Sequence, residues 1–205
     1  MFFGAKTPKL FQALFPTLVW ENATNEKKVW LTFDDGPNAE ITPFVLDTLL
    51  FYNIKATFFC LGKQMVKNPE ILKRITAEGH SIGNHSYSHP NGFTTCTKKY
   101  LEDVKKCQEI IPETKLFRPP FGNIYPWQIG KLKKEYKIIM WDVLAWDFKK
   151  NTSKEKCYSN VVSNVENGSI IVLHDNKKSR KNLQYALPKI IETLKERGFA
   201  FSTTW

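Results

Sequence analysis

The side chains best suited to chemistry fall into four short segments. Thr32–Phe33–Asp34–Asp35–Gly36–Pro37 places two adjacent carboxylates where an apolar run meets a Gly-Pro turn. The turn makes the side chains diverge, so one can bind a cation while the other accepts a proton. Gly79–His80–Ser81–Ile82–Gly83–Asn84–His85–Ser86–Tyr87–Ser88–His89 holds three of the four histidines. The spacing of His85 and His89 predicts two imidazoles on one side of a single helical turn, offering nitrogen ligands at about 2.0–2.1 Å from a zinc-like ion. With one carboxylate they make a ligand set open to water and substrate. His80 faces away in this register and reads as structural. Arg118–Pro119–Pro120–Phe121–Gly122 is stiff and extended, able to fix Arg118 against a carboxylate and aim the Phe121 amide into a cleft. Ser169–Ile170–Ile171–Val172–Leu173–His174–Asp175 ends an apolar run on a histidine whose ordinary pKa suits a general acid, with Val172 on its face.

Positioning these groups requires a sheet. Strand-like runs lie at Val29–Phe33, Ala56–Cys60, Ser81–Asn84, Leu116–Arg118, Ile138–Trp141, Ser169–Leu173 and Phe199–Phe201. Between them, Ile41, Val45, Leu46, Leu49 and Leu50 recur at helical spacing, as do Tyr100, Val104, Cys107 and Ile111. Leu187, Ile190, Ile191 and Leu194 repeat the pattern before Gly198, a helix C-cap signal. Pro69 and Pro188 suit a first helical turn better than a helix interior. About seven strands alternating with helices predict an α/β fold with a parallel sheet, open or closed into a small incomplete barrel. Each chemical segment then lies just past a strand's C-terminal end, where such folds carry their sites.

The 205 residues suffice for one domain. The sequence is 42% hydrophobic and 24% charged, as in ordinary soluble proteins. No run approaches the roughly 18 to 20 apolar residues of a membrane span. Residues 1–27 read as an N-terminal arm packed on the domain. Their apolar stretch is broken by Lys6, Pro8, Lys9, Gln12 and Pro16 and lacks the pattern of a signal peptide, which leaves a cytoplasmic location as the default. The net charge of +10 is spread over separate Lys pairs without a nucleic-acid-binding motif, so a solvated basic surface is expected rather than nucleic-acid binding. Cys60, Cys96, Cys107 and Cys157 have no Cys-x-x-Cys spacing and are expected as free thiols.

In this order the segments resemble the polysaccharide deacetylase family, the NodB-homology domains of carbohydrate esterase family 4. Thr32–Gly36 matches its T-F-D-D-G motif, and His85–Ser86 with His89 its H-[ST]-x-x-H motif. Arg118–Phe121 resembles R-P-P-[FY], and Val172–His174 approximates L-x-H. The resemblance runs from about Lys28 to the C-terminus. It implies a single-domain distorted (β/α) barrel over residues 28–205 and a divalent metal, commonly zinc and sometimes cobalt or nickel. It also implies Asp34 as general base, Asp35, His85 and His89 as ligands, Arg118 orienting Asp34, the Phe121 amide binding the oxyanion, and His174 as general acid. The family's W-x-x-D-x-x-D-W stretch is Trp141–Phe148 here. Leu144 replaces the first carboxylate and Phe148 the last tryptophan, while Asp147 remains to pair with His174 and raise its pKa. Phe148 and Val172 would line the pocket for the acetyl methyl.

The expected activity is metal-dependent removal of N-acetyl groups from an amino-sugar oligomer or polysaccharide such as peptidoglycan or chitin, by a monomer. Its pH profile would be bell-shaped, with Asp34 on one limb and His174 on the other. An O-acetyl esterase acting on xylan or another acetylated sugar would use the same residues. A non-catalytic carbohydrate-binding domain would be favoured by loss of a ligand or of the base, and neither is lost.

Overall fold

The computed structural model describes residues 4–205. Eight strands form: β1 (Lys28–Asp34), β2 (Thr57–Cys60), β3 (Ser81–Asn84), β4 (Leu116–Phe117), β5 (Lys137–Ile138), β6 (Val143–Leu144), β7 (Ile170–His174) and β8 (Ala200–Phe201). Seven run side by side in the order β5-β4-β3-β2-β1-β7-β6, and β8 pairs with the start of β1. Every strand pair is parallel. The sheet curls into a half-barrel wrapped by helices, the single-domain α/β architecture expected.

β1 is buried over all but its first residue. A strand covered on both faces reads as a continuous apolar run, which is why Val29–Phe33 was legible. Phe33 stacks on Phe58 of β2 with ring centroids 5.1 Å apart. Three helices press Val45, Leu49, Val161, Leu183, Leu187, Ile190 and Leu194 against the same core. They are α2 (Thr42–Phe51), α7 (Lys154–Val162) and α8 (Arg180–Glu196), in a series that also has α1 (Lys9–Ala13), α3 (Gly62–Lys67), α4 (Pro69–Ala77), α5 (Thr97–Gln108) and α6 (Pro126–Leu132). Pro69 opens α4 as expected. Pro188 instead lies inside α8, which begins eight residues earlier at Arg180. The buried stripe of Leu183, Ala186, Leu187, Ile190 and Ile191 outweighs the hydrogen bond that proline removes. Gly198, at φ 80°, closes α8; its N–H reaches Lys195 O and that of Phe199 reaches Leu194 O.

The sheet is open between β5 and β6, and residues before β1 cover the gap. Val19 bridges Ile139 in parallel, Lys6 bridges Val143 antiparallel, and Glu21 bridges Ser169. The Lys6 ammonium donates to Asp142 Oδ2 at 2.8 Å, inside a cluster where Asp142 also accepts from Ser169 Oγ and the Ile170 N–H. The expected strand Ile138–Trp141 is therefore shorter, because beyond Ile138 its pairing passes to the arm. Cys60, Cys107 and Cys157 are buried free thiols and Cys96 an exposed one. No helix among the described residues is long and apolar enough to cross a membrane.

Candidate active site

The parallel register brings the chemical segments together. Asp34 pairs with Phe59 of β2 and His174 of β7, and Asn84 of β3 with Phe117 of β4. The residues just past these positions, Asp35, His85 and Arg118, therefore emerge on one rim. They open into a cleft of about 950 Å³ lined by Asp34, Asp35, His85, His89, Phe121 and His174, among others.

Asp35 adopts φ 80°, which turns its carboxylate away from that of Asp34. Gly36 follows because a Cβ there would fall 2.0 Å from Asp175 Oδ2, so only glycine lets the backbone pass. The His85–His89 segment is not the expected helical turn. It leaves β3 as a loop with Ser86 at φ 70° and His89 at φ 68°. Side-chain acceptors capture its amides: Asn84 Oδ1 takes the Ser86 N–H, Ser86 Oγ that of His89, and Asp103 Oδ1 those of Tyr87 and Ser88. The imidazoles still converge. Asp35 Oδ1 lies 3.6 Å from His85 Nε2 and 3.2 Å from His89 Nε2.

Those separations match the donor set of one small cation. Two donors each about 2.05 Å from a tetrahedral ion stand roughly 3.3 Å apart. Asp35 Oδ1 is buried without a hydrogen-bond partner, an arrangement that proteins seldom leave uncompensated. The other oxygen accepts from Asn176 Nδ2 at 2.7 Å, and His85 Nδ1 is paired with the Arg118 carbonyl at 2.8 Å. Each outer contact leaves the inner atom directed at the shared point. Burial holds the His85 pKa down to about 4, against the opposing charge of Asp34. Burial would raise the Asp35 pKa, yet the adjoining His89 and the charges of His174 and His85 keep it well below the carboxylate range. Asp35, His85 and His89 thus fit a divalent metal.

On one flank, Arg118 is wholly buried under the Phe59 ring. Its Nη1 donates to Asp34 Oδ1 at 2.6 Å and to Thr32 Oγ1, while Nη2 and Nε reach the Met140 and Ile139 carbonyls. A buried guanidinium with that many acceptors is tolerated where an unpaired one would not be. On the other flank, Asp147 is fully buried and holds His174 twice, through ring Nδ1 at 2.9 Å and the backbone N–H at 2.7 Å. Burial lowers the His174 pKa, but the charge and hydrogen bond of Asp147 win, with Asp35 and Asp34 adding to them, and raise it to about 9. Phe148 packs edge-on against His174 at 4.6 Å, and Leu144, paired with Val172, lines the same cleft. Phe121 stands on the rim at φ 60°, its exposed ring 4.4 Å from His89.

His80 lies outside this group, accepting the Ala56 N–H at Nδ1 behind the sheet. Asn176 was missed by sequence reasoning. Its side chain closes a turn by accepting the N–H groups of Lys178 and Ser179, and only its position two residues after His174 hinted at a role. Asp175 was also missed: burial pushes its pKa up to about 7, against the hydrogen bond from Thr42.

A curled parallel half-barrel with two histidines and a carboxylate at its rim, flanked by Arg-held and His-held carboxylates, is an arrangement suited to metal-assisted hydrolysis. Residues 21–138 match the family model described as Polysaccharide deacetylase. The chain is 37% identical to a peptidoglycan-N-acetylglucosamine deacetylase of Bacillus cereus, over 95% of each chain. Its fold superposes on a crystal structure of a peptidoglycan N-acetylglucosamine deacetylase bound to 4-naphthalen-1-yl-N-oxidanyl-benzamide, with a TM-score of 0.87, 37% identity, and coverage of 96% of this chain and 94% of that one. A Bacillus anthracis carbohydrate esterase family 4 pseudoenzyme also superposes, with a TM-score of 0.79, 27% identity, and coverage of 89% and 65%. The chain belongs to the polysaccharide deacetylase family.

Proposed function

We propose that this protein is a metal-dependent deacetylase that removes N-acetyl groups from N-acetylglucosamine in peptidoglycan or a similar amino-sugar polymer. The observation that carries this reading is the convergence of Asp35, His85 and His89 between two differently held carboxylates, Asp34 on Arg118 and Asp147 on His174. The similarity to a peptidoglycan-N-acetylglucosamine deacetylase over nearly the whole chain supports the substrate.

Asp35, His85 and His89 would hold the ion, with zinc favoured by the nitrogen-rich set and cobalt or nickel compatible with it. Such an ion supplies Lewis acidity, polarising an acetyl carbonyl and acidifying water. Asp34 takes the proton of the attacking water on the carboxylate oxygen that Arg118 does not occupy. Arg118 keeps that carboxylate oriented and its charge balanced. The Phe121 N–H would donate to the developing oxyanion, a contribution of roughly 3–4 kcal/mol when well aimed. His174, protonated and steered by Asp147 at Nδ1, delivers a proton from Nε2 to the departing amine. Val172, Leu144 and Phe148 would enclose the acetyl methyl on an apolar wall.

Acetate release from N-acetylglucosamine oligomers, measured together with bound metal, tests the reading. Asp34→Asn should lower kcat by about 10²–10⁴-fold while metal content persists. His85→Ala should reduce both. Full turnover in Asp34→Asn would remove the base from the mechanism, and release from O-acetylated xylan alone would replace amide with ester hydrolysis.

A further inference from the structure

Beside the metal-site rim, three aromatic side chains form a surface that the catalytic scheme does not use. Phe93 and Tyr125 meet at 4.8 Å, and Tyr125 and Trp127 stack at 4.3 Å with planes 15° apart. Trp127 is 56% exposed and Phe93 42%, although rings of this size are normally covered in a folded chain.

The platform is built rather than incidental. Phe93 lies four residues beyond His89, and Tyr125 four beyond Phe121, so both loops descend directly from the site. Hydrogen bonds zip the loops together: Asn123 Nδ2 donates to Asn91 Oδ1, and the buried Gln128 donates to the Gly92 carbonyl while accepting the Tyr125 N–H. Gly92 allows this approach, since a Cβ there would sit 2.2 Å from the Asn123 carbonyl oxygen. The Trp127 indole N–H is anchored on Thr97 Oγ1 at 3.0 Å. Fixed rings present their faces at little entropic cost on binding. Phe93, Asn91 and Asn123 line the same cleft as His89 and Asp34, which makes the platform continuous with the site.

A flat, rigid aromatic face beside amide side chains suits a pyranose. The sugar's axial C–H groups carry partial positive charge against the negative ring face, and its hydroxyls meet the amides. We propose that Trp127 and Phe93, backed by Tyr125 between them, bind the sugar units adjoining the one held at Asp35, His85 and His89, making the enzyme selective for longer glycan chains. The proposal rests on the deacetylase reading and adds a subsite to it.

Steady-state kinetics on N-acetylglucosamine oligomers from dimer to hexamer test it. Phe93→Ala and Trp127→Ala should each raise KM for the hexamer by about three- to tenfold, with kcat unchanged and hydrolysis of monomeric N-acetylglucosamine, assayed alongside, unaffected. Trp127→Phe should restore most of the loss. An unchanged hexamer KM, or equal losses on monomer and hexamer, would overturn the subsite. Calorimetric titration of the hexamer into the Asp34→Asn protein separates this from the chemistry. Saturable binding weakened by adding Trp127→Ala supports the platform, and binding indifferent to that change overturns it. Absence of acetate release by the wild type from every oligomer would instead defeat the deacetylase reading, leaving the titration to decide the platform.

Discussion

At the residue scale, the site assigns opposite tasks to two buried carboxylate pairs. Asp34 faces a permanent cation, Arg118, whereas Asp147 faces a titratable one, His174. Because the raised His174 pKa of about 9 depends on Asp147, the imidazole proposed as proton donor stays protonated across neutral pH. Activity should therefore fall as pH rises through about 9, when His174 loses its proton. The same pairing contributes stability that is fully present below the ordinary histidine value of about 6.5 and is lost as pH climbs to about 9. In Asp147→Asn the charge goes and burial remains, so the alkaline limb should move to lower pH while bound metal is retained. A rate profile of that variant superimposable on the wild type would detach His174 from the acid role.

At the element scale, the arm before β1 supplies what the sheet lacks on its open side. Lys6 reaches the buried Asp142, itself tied to Ser169 and to the start of β7. Lys6→Met should remove the ammonium's hydrogen bonds to Asp142 and to the Asn164 carbonyl and leave Asp142 with two donors, costing about 1–3 kcal/mol in denaturant unfolding. If Lys6→Met and Asp142→Asn each destabilise but combine additively, the two do not act as a pair. The long elements were legible in the sequence because their signals are local: β1 and β7 as apolar runs, α2 and α8 as 3.6-residue stripes. β6 was not, since two residues carry no period, and its place is set by β7 on one side and Ala5 on the other. That His85 and His89 would converge with a carboxylate was legible from type and spacing, but their backbone was not. A four-residue interval fits a helical turn equally well, and the loop between Ser86 and His89 is held at the Tyr87 and Ser88 amides by Asp103, a residue distant in sequence. Asn176, Asp175 and the Phe93–Tyr125–Trp127 group escaped notice for the same reason: each acquires meaning only through partners brought in by the fold.

At the scale of the whole molecule, the candidate metal site links several segments into one unit. Asp35 ends β1, His85 and His89 follow β3, and the Arg118 carbonyl after β4 holds the His85 ring. An ion bound only when these segments are assembled must stabilise the fold, by about 2.7 kcal/mol at a free concentration one hundred times its Kd. For a chain of 205 residues that corresponds to a rise of roughly 5–11 °C in Tm. With His85 neutral above pH 4 and Asp35 ionised, protons do not compete for these two donors at pH 7. Thermal unfolding of chelator-treated protein titrated with Zn²⁺ measures the rise. His89→Ala should abolish most of the shift, while Trp127→Ala, remote from the donors, should keep all of it. An equal shift in His89→Ala would mean that the ion stabilising the fold binds somewhere else.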